Sequence, residues 1–200
     1  MQDKVKAGYN KAARAYSKGR DQFKNDKYLD RLDSLLKPNS VILDVGCGSG
    51  KPVTEFFVNH GHQVTGIDIS KEQIKLAKEN VPQGLFEVRD MSLLKPGEYA
   101  VDAIVSFYTI FHIPREQHLG LLKKLHTFLN DDGVLLITMG ATDWEGNEEF
   151  FGVQMHWSHY GKDKNSQMVR EAGFELLVDE IDDSGGEEHQ VIMARKIWRM

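Results

Sequence analysis

Three features that mark other protein classes are missing from this chain. It has a single cysteine, Cys47, which excludes an internal disulfide and a multi-cysteine metal site. No apolar run approaches the roughly 20 residues that a helix needs to span a bilayer. The first residues, MQDK, are polar and lead into a charged segment, so we expect no signal peptide. These absences favour a globular protein located in the cytoplasm.

The charge of the chain is unevenly spread. The 200 residues suit one domain with a sizeable core, and their formal net charge is −5. Up to Lys37, ten Lys/Arg against five Asp/Glu give +5, whereas the remaining 15 against 25 give −10. The basic start fits either an anionic substrate or solvated helix faces. The acidic remainder argues against a broad nucleic-acid footprint, so we expect no nucleic-acid partner and no membrane partner.

A predicted strand and a glycine-rich turn form the centre of the sequence. Residues 41–45, VILDV, have the composition of a strand buried on both faces. Glycines then alternate at Gly46, Gly48 and Gly50, which predicts a tight turn that a ligand can approach. Lys51 stands where a dinucleotide fingerprint has its third glycine, and the spacing of a phosphate-binding loop is also absent. A purely structural turn is the alternative interpretation.

Residues 44–50, DVGCGSG, resemble the first motif of the class I S-adenosylmethionine-dependent methyltransferases, Asp-x-Gly-x-Gly-x-Gly. The likeness is to the small-molecule type, similar to methyltransferase domains 11 and 25. Residues 64–70, VTGIDIS, resemble the second motif, in which an acid at the strand end, here Asp68, accepts hydrogen bonds from a ribose. Asp90 follows the third predicted strand, where the family contacts the adenine edge. The alternatives are a helix-capping role for Asp68 and a surface-turn role for Asp90.

The resemblance covers residues 9–196 and implies one α/β domain. Its expected fold is a Rossmann-like three-layer sandwich with a seven-stranded, mostly parallel sheet of order 3-2-1-4-5-7-6, the last strand antiparallel. Within residues 1–200 we expect an N-terminal helical lid (1–38), a cofactor-binding core (39–140), an aromatic substrate loop (141–165) and a helix with a terminal hairpin (166–200).

The resemblance also assigns side chains to the cofactor, S-adenosylmethionine. Aromatic residues of the first helix would close over its methionine end, the glycine loop would hold that end, and Met91 and Ile69 would enclose the adenine. The expected cofactor-binding residues are Tyr9, Tyr16, Arg20, Asp44, Gly46, Cys47, Gly48, Asp68, Ile69, Gln73, Asp90, Met91, Ser106 and Phe107. For the two tyrosines, ordinary core packing is the alternative.

Two aromatic segments predict the site of the methyl acceptor. Residues 106–114 are unusually aromatic for an exposed connection, and residues 140–165 form a long segment with little periodicity. The expected substrate-binding residues are Tyr108, His112, Trp144, Trp157, His159 and Tyr160. An acceptor that is protonated at neutral pH would need a general base, for which His112 and His159 are the catalytic candidates. A structural histidine is the alternative for each.

Departures from other methyltransferase classes narrow the chemistry. Residues 106–109, SFYT, replace the Asn/Asp-Pro-Pro-Tyr/Phe motif of enzymes that methylate the exocyclic amines of bases. The lack of a second cysteine disfavours cytosine-C5 chemistry, and no metal is expected. We expect methyl transfer to a small-molecule substrate by a monomer or homodimer. A non-catalytic S-adenosylmethionine-binding protein, an RNA or protein methyltransferase, and a nicotinamide-dependent oxidoreductase are the alternatives.

Overall fold

The computed structural model describes residues 2–19 and 26–197, including the side chains of residues 2–14 and 26–197. Its strands are β1 (Val41–Val45), β2 (Gln63–Asp68), β3 (Leu85–Val88), β4 (Val101–Ser106), β5 (Leu129–Gly140), β6 (Trp144–Phe150), β7 (Val153–His159), β8 (Phe174–Asp182) and β9 (His189–Lys196). Its α-helices are α1 (Gln2–Gly19), α2 (Asp26–Asp33), α3 (Val53–Asn59), α4 (Lys71–Asn80), α5 (His118–Phe128) and α6 (Lys162–Glu171). Short 3₁₀ turns cover Met91–Leu93, Ile110–His112 and Arg115–Gln117.

Seven strands form one sheet in the order β3-β2-β1-β4-β5-β9-β8. The pairs among β1 to β5 are parallel, whereas β9 runs antiparallel to both β5 and β8. Strands β6 and β7 form a separate two-stranded sheet. When only the strands of the large sheet are counted, the order is 3-2-1-4-5-7-6 with the last strand antiparallel. The predicted fold class is therefore confirmed.

Alternating residues of the central strands build apolar layers on both faces of the sheet. On β1, Leu43 belongs to the layer that includes α5 and α6, and Ile42 belongs to the layer that includes α2 and α3. Helix α5 presents Leu121, Leu122 and Leu125 to the core at helical spacing. Both faces of the sheet are thus covered by helices, as a mostly parallel sheet requires.

Residues 141–165, which the sequence predicts as an aromatic loop, contain the antiparallel hairpin β6–β7. The register pairs Trp144 with His159 and Phe150 with Val153, which puts the aromatic side chains of the hairpin on one face. Glu148 lies on that same face, so the alternation of apolar and polar residues is broken in the sequence. That interruption hides in β6 the period of two by which a strand is recognised, whereas residues 153–159 of β7 keep it.

Helix α1 lies beside the segments that follow β2 and β4. Near its start, Gln2 Nε2 donates a hydrogen bond to the carbonyl oxygen of His112 at 3.0 Å. Further along, Asn10 Oδ1 accepts one from the Ser70 hydroxyl at 2.8 Å. The absence of a side chain at Gly8 lets α1 approach strand β7 closely. The helix is thus positioned to cover the ends of these strands, although its action as a lid stays a prediction.

Candidate active site

A narrow cleft lies at the carboxyl ends of β1, β2 and β3, beneath α1, and we call it the carboxyl-end cleft. Its lining residues are Gln2, Val5, Tyr9, Gly46, Gly48, Ile67, Asp68, Ile69, Gln73, Arg89, Asp90, Met91, Tyr108, Thr109 and His112. The predicted cofactor-binding residues among them are Tyr9, Gly46, Gly48, Asp68, Ile69, Gln73, Asp90 and Met91. In open parallel sheets, ligands bind outside these strand ends.

The glycine loop after β1 forms one wall of the carboxyl-end cleft. Gly46 and Gly48 have φ angles of +79° and +54°, which glycine adopts without the strain of a side chain. A Cβ on Gly46 would lie 2.1 Å from Thr109 Oγ1, whereas a Cβ on Gly48 would meet only Gln73 Oε1, at 4.0 Å. Gly46 therefore lets the loop pack against the segment after β4. Gly48 leaves its backbone open to the cleft.

Asp68 is held at the end of β2 by two backbone donors. Its Oδ2 accepts a hydrogen bond from the Gly48 N–H at 3.0 Å, and its Oδ1 accepts one from the Ser70 N–H at 2.8 Å. Burial raises the pKa of Asp68 to about 6, although both hydrogen bonds favour the ionised form. Helix α4 is capped by Ser70, whose hydroxyl accepts from the Gln73 N–H at 3.2 Å. Ser70, and not Asp68, is therefore the N-cap of α4.

Asp90 and Gln73 add polar groups to the same cleft. Asp90 Oδ1 accepts from the backbone N–H and the hydroxyl of Ser92, at 2.8 and 2.7 Å, and so fixes the turn that carries Met91. Gln73 is fully buried, and neither of its side-chain polar atoms has a hydrogen-bond partner among the described residues. A buried polar group without a partner costs about 1–3 kcal/mol. The cleft thus contains an amide that a ligand could satisfy.

Two predicted cofactor-binding residues of the first motif lie behind the glycine loop. Asp44 is buried, and its Oδ2 accepts a hydrogen bond from the Thr54 hydroxyl at 2.7 Å. Cys47 is buried against Phe86, and burial raises the pKa of its thiol. Neither side chain lines the carboxyl-end cleft, and the cofactor role expected for Asp44 and Cys47 stays a prediction. They hold the loop in shape from below.

Ser106 and Phe107 are also placed in the interior instead of the cleft. The Ser106 hydroxyl donates to the carbonyl oxygen of Val45 at 2.9 Å, and Phe107 packs in the layer with α2 and α3. Ser106 ends β4 in register with Ile137 of β5, so the strand fixes its placement, and Tyr108 then turns the chain with a φ of +56°. The remaining two predictions, the Tyr16 side chain and Arg20, lie outside the described residues.

A second cavity of about 410 Å³ adjoins the cleft, and we call it the aromatic cavity. Its lining residues are Tyr9, Tyr108, Phe111, His112, Gly140, Ala141, Thr142, Trp144, Glu148, Glu149, Phe150, Phe151, Trp157, His159, Glu187, Glu188 and His189. Five predicted substrate-binding residues lie here, namely Tyr108, His112, Trp144, Trp157 and His159. Tyr9, Tyr108 and His112 line both spaces and form the junction between them.

Tyr9 and His112 form a hydrogen-bonded pair at this junction. The Tyr9 Oη lies 2.7 Å from His112 Nε2, and His112 Nδ1 lies 3.2 Å from the carbonyl oxygen of His156. A carbonyl only accepts, so we assign the ring proton to Nδ1 and the role of acceptor to Nε2. Tyr9 then donates to His112. Burial lowers the pKa of His112 to about 4, so the ring is neutral at pH 7.

The ring of the other candidate base, His159, packs directly against Gly140. Its Nδ1 lies 2.6 Å from the carbonyl oxygen of Thr142, which leaves Nε2 as the acceptor. A Cβ on Gly140 would lie 2.0 Å from His159 Nδ1, so the ring occupies space that only glycine leaves.

Tyr160, predicted to bind substrate, packs against the core. The Arg115 guanidinium lies over its ring, 5.1 Å from the ring centre. On strand β7 and its continuation, neighbouring side chains face opposite sides, which separates Tyr160 from His159.

Several lining residues were not predicted from the sequence. Thr109 and Arg89 line the carboxyl-end cleft, and Glu187, Glu188 and His189 reach the aromatic cavity from the connection before β9. Burial lowers the pKa of His189. The order of the last strands could have identified this connection, because β9 pairs beside β5 and brings its start to the cavity.

Residues 2–19 and 26–197 were searched for a metal site and for a membrane-spanning helix. Within them, no three His, Cys, Asp or Glu side chains come together as ligands for a metal ion. None of the helices there combines the length and the apolar character that crossing a bilayer requires.

Comparison with known proteins decides the family. Residues 16–179 match a family model described as a methyltransferase domain. The chain belongs to the class I S-adenosylmethionine-dependent methyltransferase family. S-adenosylmethionine is the cofactor of this family, as the sequence motifs predict.

Over 162 residues the chain is 32% identical to phosphoethanolamine N-methyltransferase 3 of Arabidopsis thaliana, a match that covers 77% of this chain and 32% of that protein. The chain spans about a third to a half of the length of the curated relatives it matches first.

Solved structures show the same fold at low sequence identity. The 1,6-didemethyltoxoflavin-N1-methyltransferase of Burkholderia thailandensis superposes with a TM-score of 0.72 at 22% identity, over 97% of this chain and 88% of that one. The [4+2]-cyclase SpnF superposes with a TM-score of 0.76 at 16% identity, over 98% and 97% of the two chains. A methyltransferase and a cyclase thus share the architecture, so the reaction must be argued from the site.

Proposed function

We propose that the chain transfers the methyl group of S-adenosylmethionine to a small-molecule acceptor held in the aromatic cavity. The observation that supports this most is the junction, because Tyr9, Tyr108 and His112 line both the cleft and the cavity. In-line displacement needs the methyl carbon and the attacking atom about 3–3.5 Å apart, which a shared wall allows. Relatives are named for phosphoethanolamine, trans-aconitate and 1,6-didemethyltoxoflavin, all of them small molecules.

The residues of the carboxyl-end cleft fit the cofactor. Asp68 offers a carboxylate to a ribose diol, and Asp90 can accept from the amino group of an adenine enclosed by Ile69 and Met91. The unpaired amide of Gln73 supplies both a donor and an acceptor. When bound, the cofactor supplies a methyl group on a positively charged sulfur. The protein supplies orientation and a site from which water is excluded.

The Tyr9–His112 pair offers a route for a proton. Because His112 is neutral at pH 7, its Nε2 can accept the Tyr9 proton when Tyr9 takes one from an acceptor N–H or O–H. A pKa of about 4 makes His112 a weak base, so it holds the proton only briefly. This role suits an acceptor that needs only brief assistance, such as an amine that is already neutral when it attacks.

Two measurements test this proposal. S-adenosylhomocysteine at about a hundredfold excess over its dissociation constant should stabilise the protein by roughly 2.7 kcal/mol and raise the Tm. Labelled S-adenosylmethionine, offered with a mixture of metabolites, should yield a product heavier by one methyl group. Asp68→Ala should lose both effects, and Asp163→Ala, an exposed acid on α6, should keep both. A chain that shows no Tm shift with S-adenosylhomocysteine contradicts the proposal.

A further inference from the structure

The aromatic cavity has a wall of aromatic rings. Phe150 and Trp157 lie 5.7 Å apart between ring centres, and Trp144 and Trp157 lie 6.5 Å apart. These three side chains are only half-buried, so part of each ring surface faces the cavity. The wall continues to the junction, where Tyr9 lies 6.0 Å from Phe150. The faces of aromatic rings carry partial negative charge and attract cations, most strongly in the case of tryptophan.

Acidic side chains from two separate elements surround the same cavity. Glu148 and Glu149 come from β6, and Glu187 and Glu188 come from the connection before β9. Glu187 has a histidine partner, His189, at 4.0 Å, but among the described residues Glu148, Glu149 and Glu188 make no ion pair. All four are exposed, so they act on the electrostatic potential of the cavity mouth more than on one contact.

Within the described part of the chain, no lysine or arginine lines the aromatic cavity. Its nitrogen-bearing side chains are those of Trp144, Trp157 and the histidines, and burial lowers the pKa of both His112 and His189, which are therefore neutral at pH 7. Apart from the sulfonium of the cofactor, an anionic acceptor would thus meet carboxylates and aromatic rings, with no lysine or arginine among the described lining residues to pair with. Removing such a group from water without a partner is costly.

We infer that the aromatic cavity selects an organic amine or a related cation as the methyl acceptor, and disfavours phosphorylated or carboxylated acceptors. The inference rests on the proposed function, and it adds the chemical class of the substrate. The cavity itself is the site, and the carboxylates decide which charge it accepts.

The same charge preference suits the reaction. A bound ammonium first releases one proton to solvent, and the free lone pair of its nitrogen then forms the new bond to the methyl carbon. The bonding pair between that carbon and sulfur returns to sulfur, so the positive charge moves from sulfur to nitrogen. Relative to the bound neutral amine, walls that stabilise a cation at the acceptor position stabilise the charge as it arrives on nitrogen.

The test compares the affinities of three related probes for the full chain saturated with S-adenosylhomocysteine. Choline is cationic, 3,3-dimethyl-1-butanol is its uncharged carbon analogue, and phosphocholine adds a phosphate. In calorimetry, choline should bind at least about fivefold more tightly than the alcohol, and phosphocholine should bind more weakly than choline. Glu148→Gln combined with Glu188→Gln should reduce the preference for choline over the alcohol. Glu79→Gln, which removes an exposed carboxylate on α4, should leave it unchanged.

The outcomes separate this inference from the proposed function. If S-adenosylhomocysteine fails to bind, the methyltransferase proposal fails, and the three probes are then compared on the free protein. If S-adenosylhomocysteine binds but the alcohol or phosphocholine matches choline, only the selection of cations is overturned. Failure of choline to bind at about 50 mM, on the order of the weakest specific contacts, overturns it as well.

Discussion

The hydroxyl of Tyr9 lies 2.7 Å from Nε2 of His112, across 103 positions of the sequence. This contact joins the first helix to the turn after β4, at the wall that the carboxyl-end cleft shares with the aromatic cavity. Helix α1 is thus more than a cover, because it contributes a side chain to the place where the two reactants would meet. A change to the Tyr9 hydroxyl should therefore affect transfer more than cofactor binding.

We expect Tyr9→Phe to lower kcat by about 10- to 100-fold, the lower end of the range for lost acid–base assistance. The ring is retained, so the dissociation constant for S-adenosylhomocysteine should change by less than about threefold, as expected when an interaction acts mainly in the transition state. Steady-state kinetics and calorimetry measure the two quantities. Tyr160→Phe is the matched control and should change neither, since Tyr160 does not line the aromatic cavity. Equal kcat values for Tyr9→Phe and the unchanged protein would remove the pair from the mechanism.

The affinity for S-adenosylhomocysteine should depend on pH through Asp68. With a pKa of about 6 in the free protein, Asp68 is mostly ionised at pH 7 and mostly protonated at pH 5. The ionised form is the better acceptor for ribose hydroxyls, so affinity should fall about tenfold between pH 7 and pH 5. Calorimetry at steps between pH 5 and 8 measures the dependence. Asp68→Asn should bind more weakly at pH 7 and show no step near pH 6, and a step that persists in this variant would assign the titration to another group.

The same titration should affect folding with the opposite sign. The pKa of Asp68 is higher in the folded protein than the ordinary value of 3.8, so the folded state binds more protons between these two values. The contribution of Asp68 to stability therefore rises as the pH falls through 6. In urea unfolding without ligand, the free energy of unfolding should fall less on acidification for the unchanged protein than for Asp68→Asn. An identical pH dependence in the two proteins would contradict the raised pKa.

Gln73→Leu should change stability and binding in opposite directions. In the free protein the buried amide of Gln73 has no partner among the described residues, so a leucine of similar size should raise the free energy of unfolding by about 1 kcal/mol. If the amide bonds the cofactor, the same change should weaken S-adenosylhomocysteine binding by about 1 kcal/mol or more. Thermal unfolding with and without ligand measures both effects. A variant that binds normally would leave Gln73 without a role in the site.

Gly140→Ala should disturb the acceptor side alone. The added methyl group would overlap the His159 ring, because a Cβ at Gly140 would lie 2.0 Å from its Nδ1, so the ring must leave the aromatic cavity wall. We expect KM for the acceptor to rise by about tenfold, with the affinity for S-adenosylhomocysteine unchanged. Gly120→Ala is the control, because a Cβ at Gly120 meets no atom within 4 Å. If instead KM rises for the cofactor, His159 acts on the cofactor in the carboxyl-end cleft, and the prediction is wrong.

The resemblance to the family implies the sheet order, and the spacing of its motifs predicts much of the cofactor side. Gly46, Gly48 and Asp68 sit at strand ends whose positions the motifs define, and the sheet brings them together in register. The cofactor role of Ser106 and Phe107 stays a prediction, although both side chains lie in the interior. Tyr108, which follows them, has a left-handed φ of +56°. Such a conformation is rare for a tyrosine and has no sequence signal.

The acceptor side is harder to predict, because it is built from long-range contacts. Trp144 and Trp157 were expected there, but the hairpin that brings them to one face was not, since Glu148 breaks the apolar alternation of β6. Glu187 and Glu188, in the connection before β9, were not predicted for the site. The pairing of β9 with β5, which the predicted strand order already contains, brings this connection to the aromatic cavity, and with it the acidic character of the site.

The last prediction concerns the movement of α1. The helix is joined to the rest of the site by side-chain contacts, among them Tyr9 to His112 and Asn10 to Ser70, and it belongs to no part of the sheet. Elements held in this way open more readily than the core, so α1 and the hairpin β6–β7 should exchange their amide hydrogens faster than α5 in the free protein. S-adenosylhomocysteine bound beneath α1 should slow exchange in α1 and leave α5 unchanged. Asn10→Ala removes an acceptor for the Ser70 hydroxyl, and should speed exchange in α1 while weakening ligand binding by about 1 kcal/mol. If exchange in α1 is already as slow as in α5 and does not respond to the ligand, then α1 is a fixed part of the fold, and the cofactor must enter the cleft by another route.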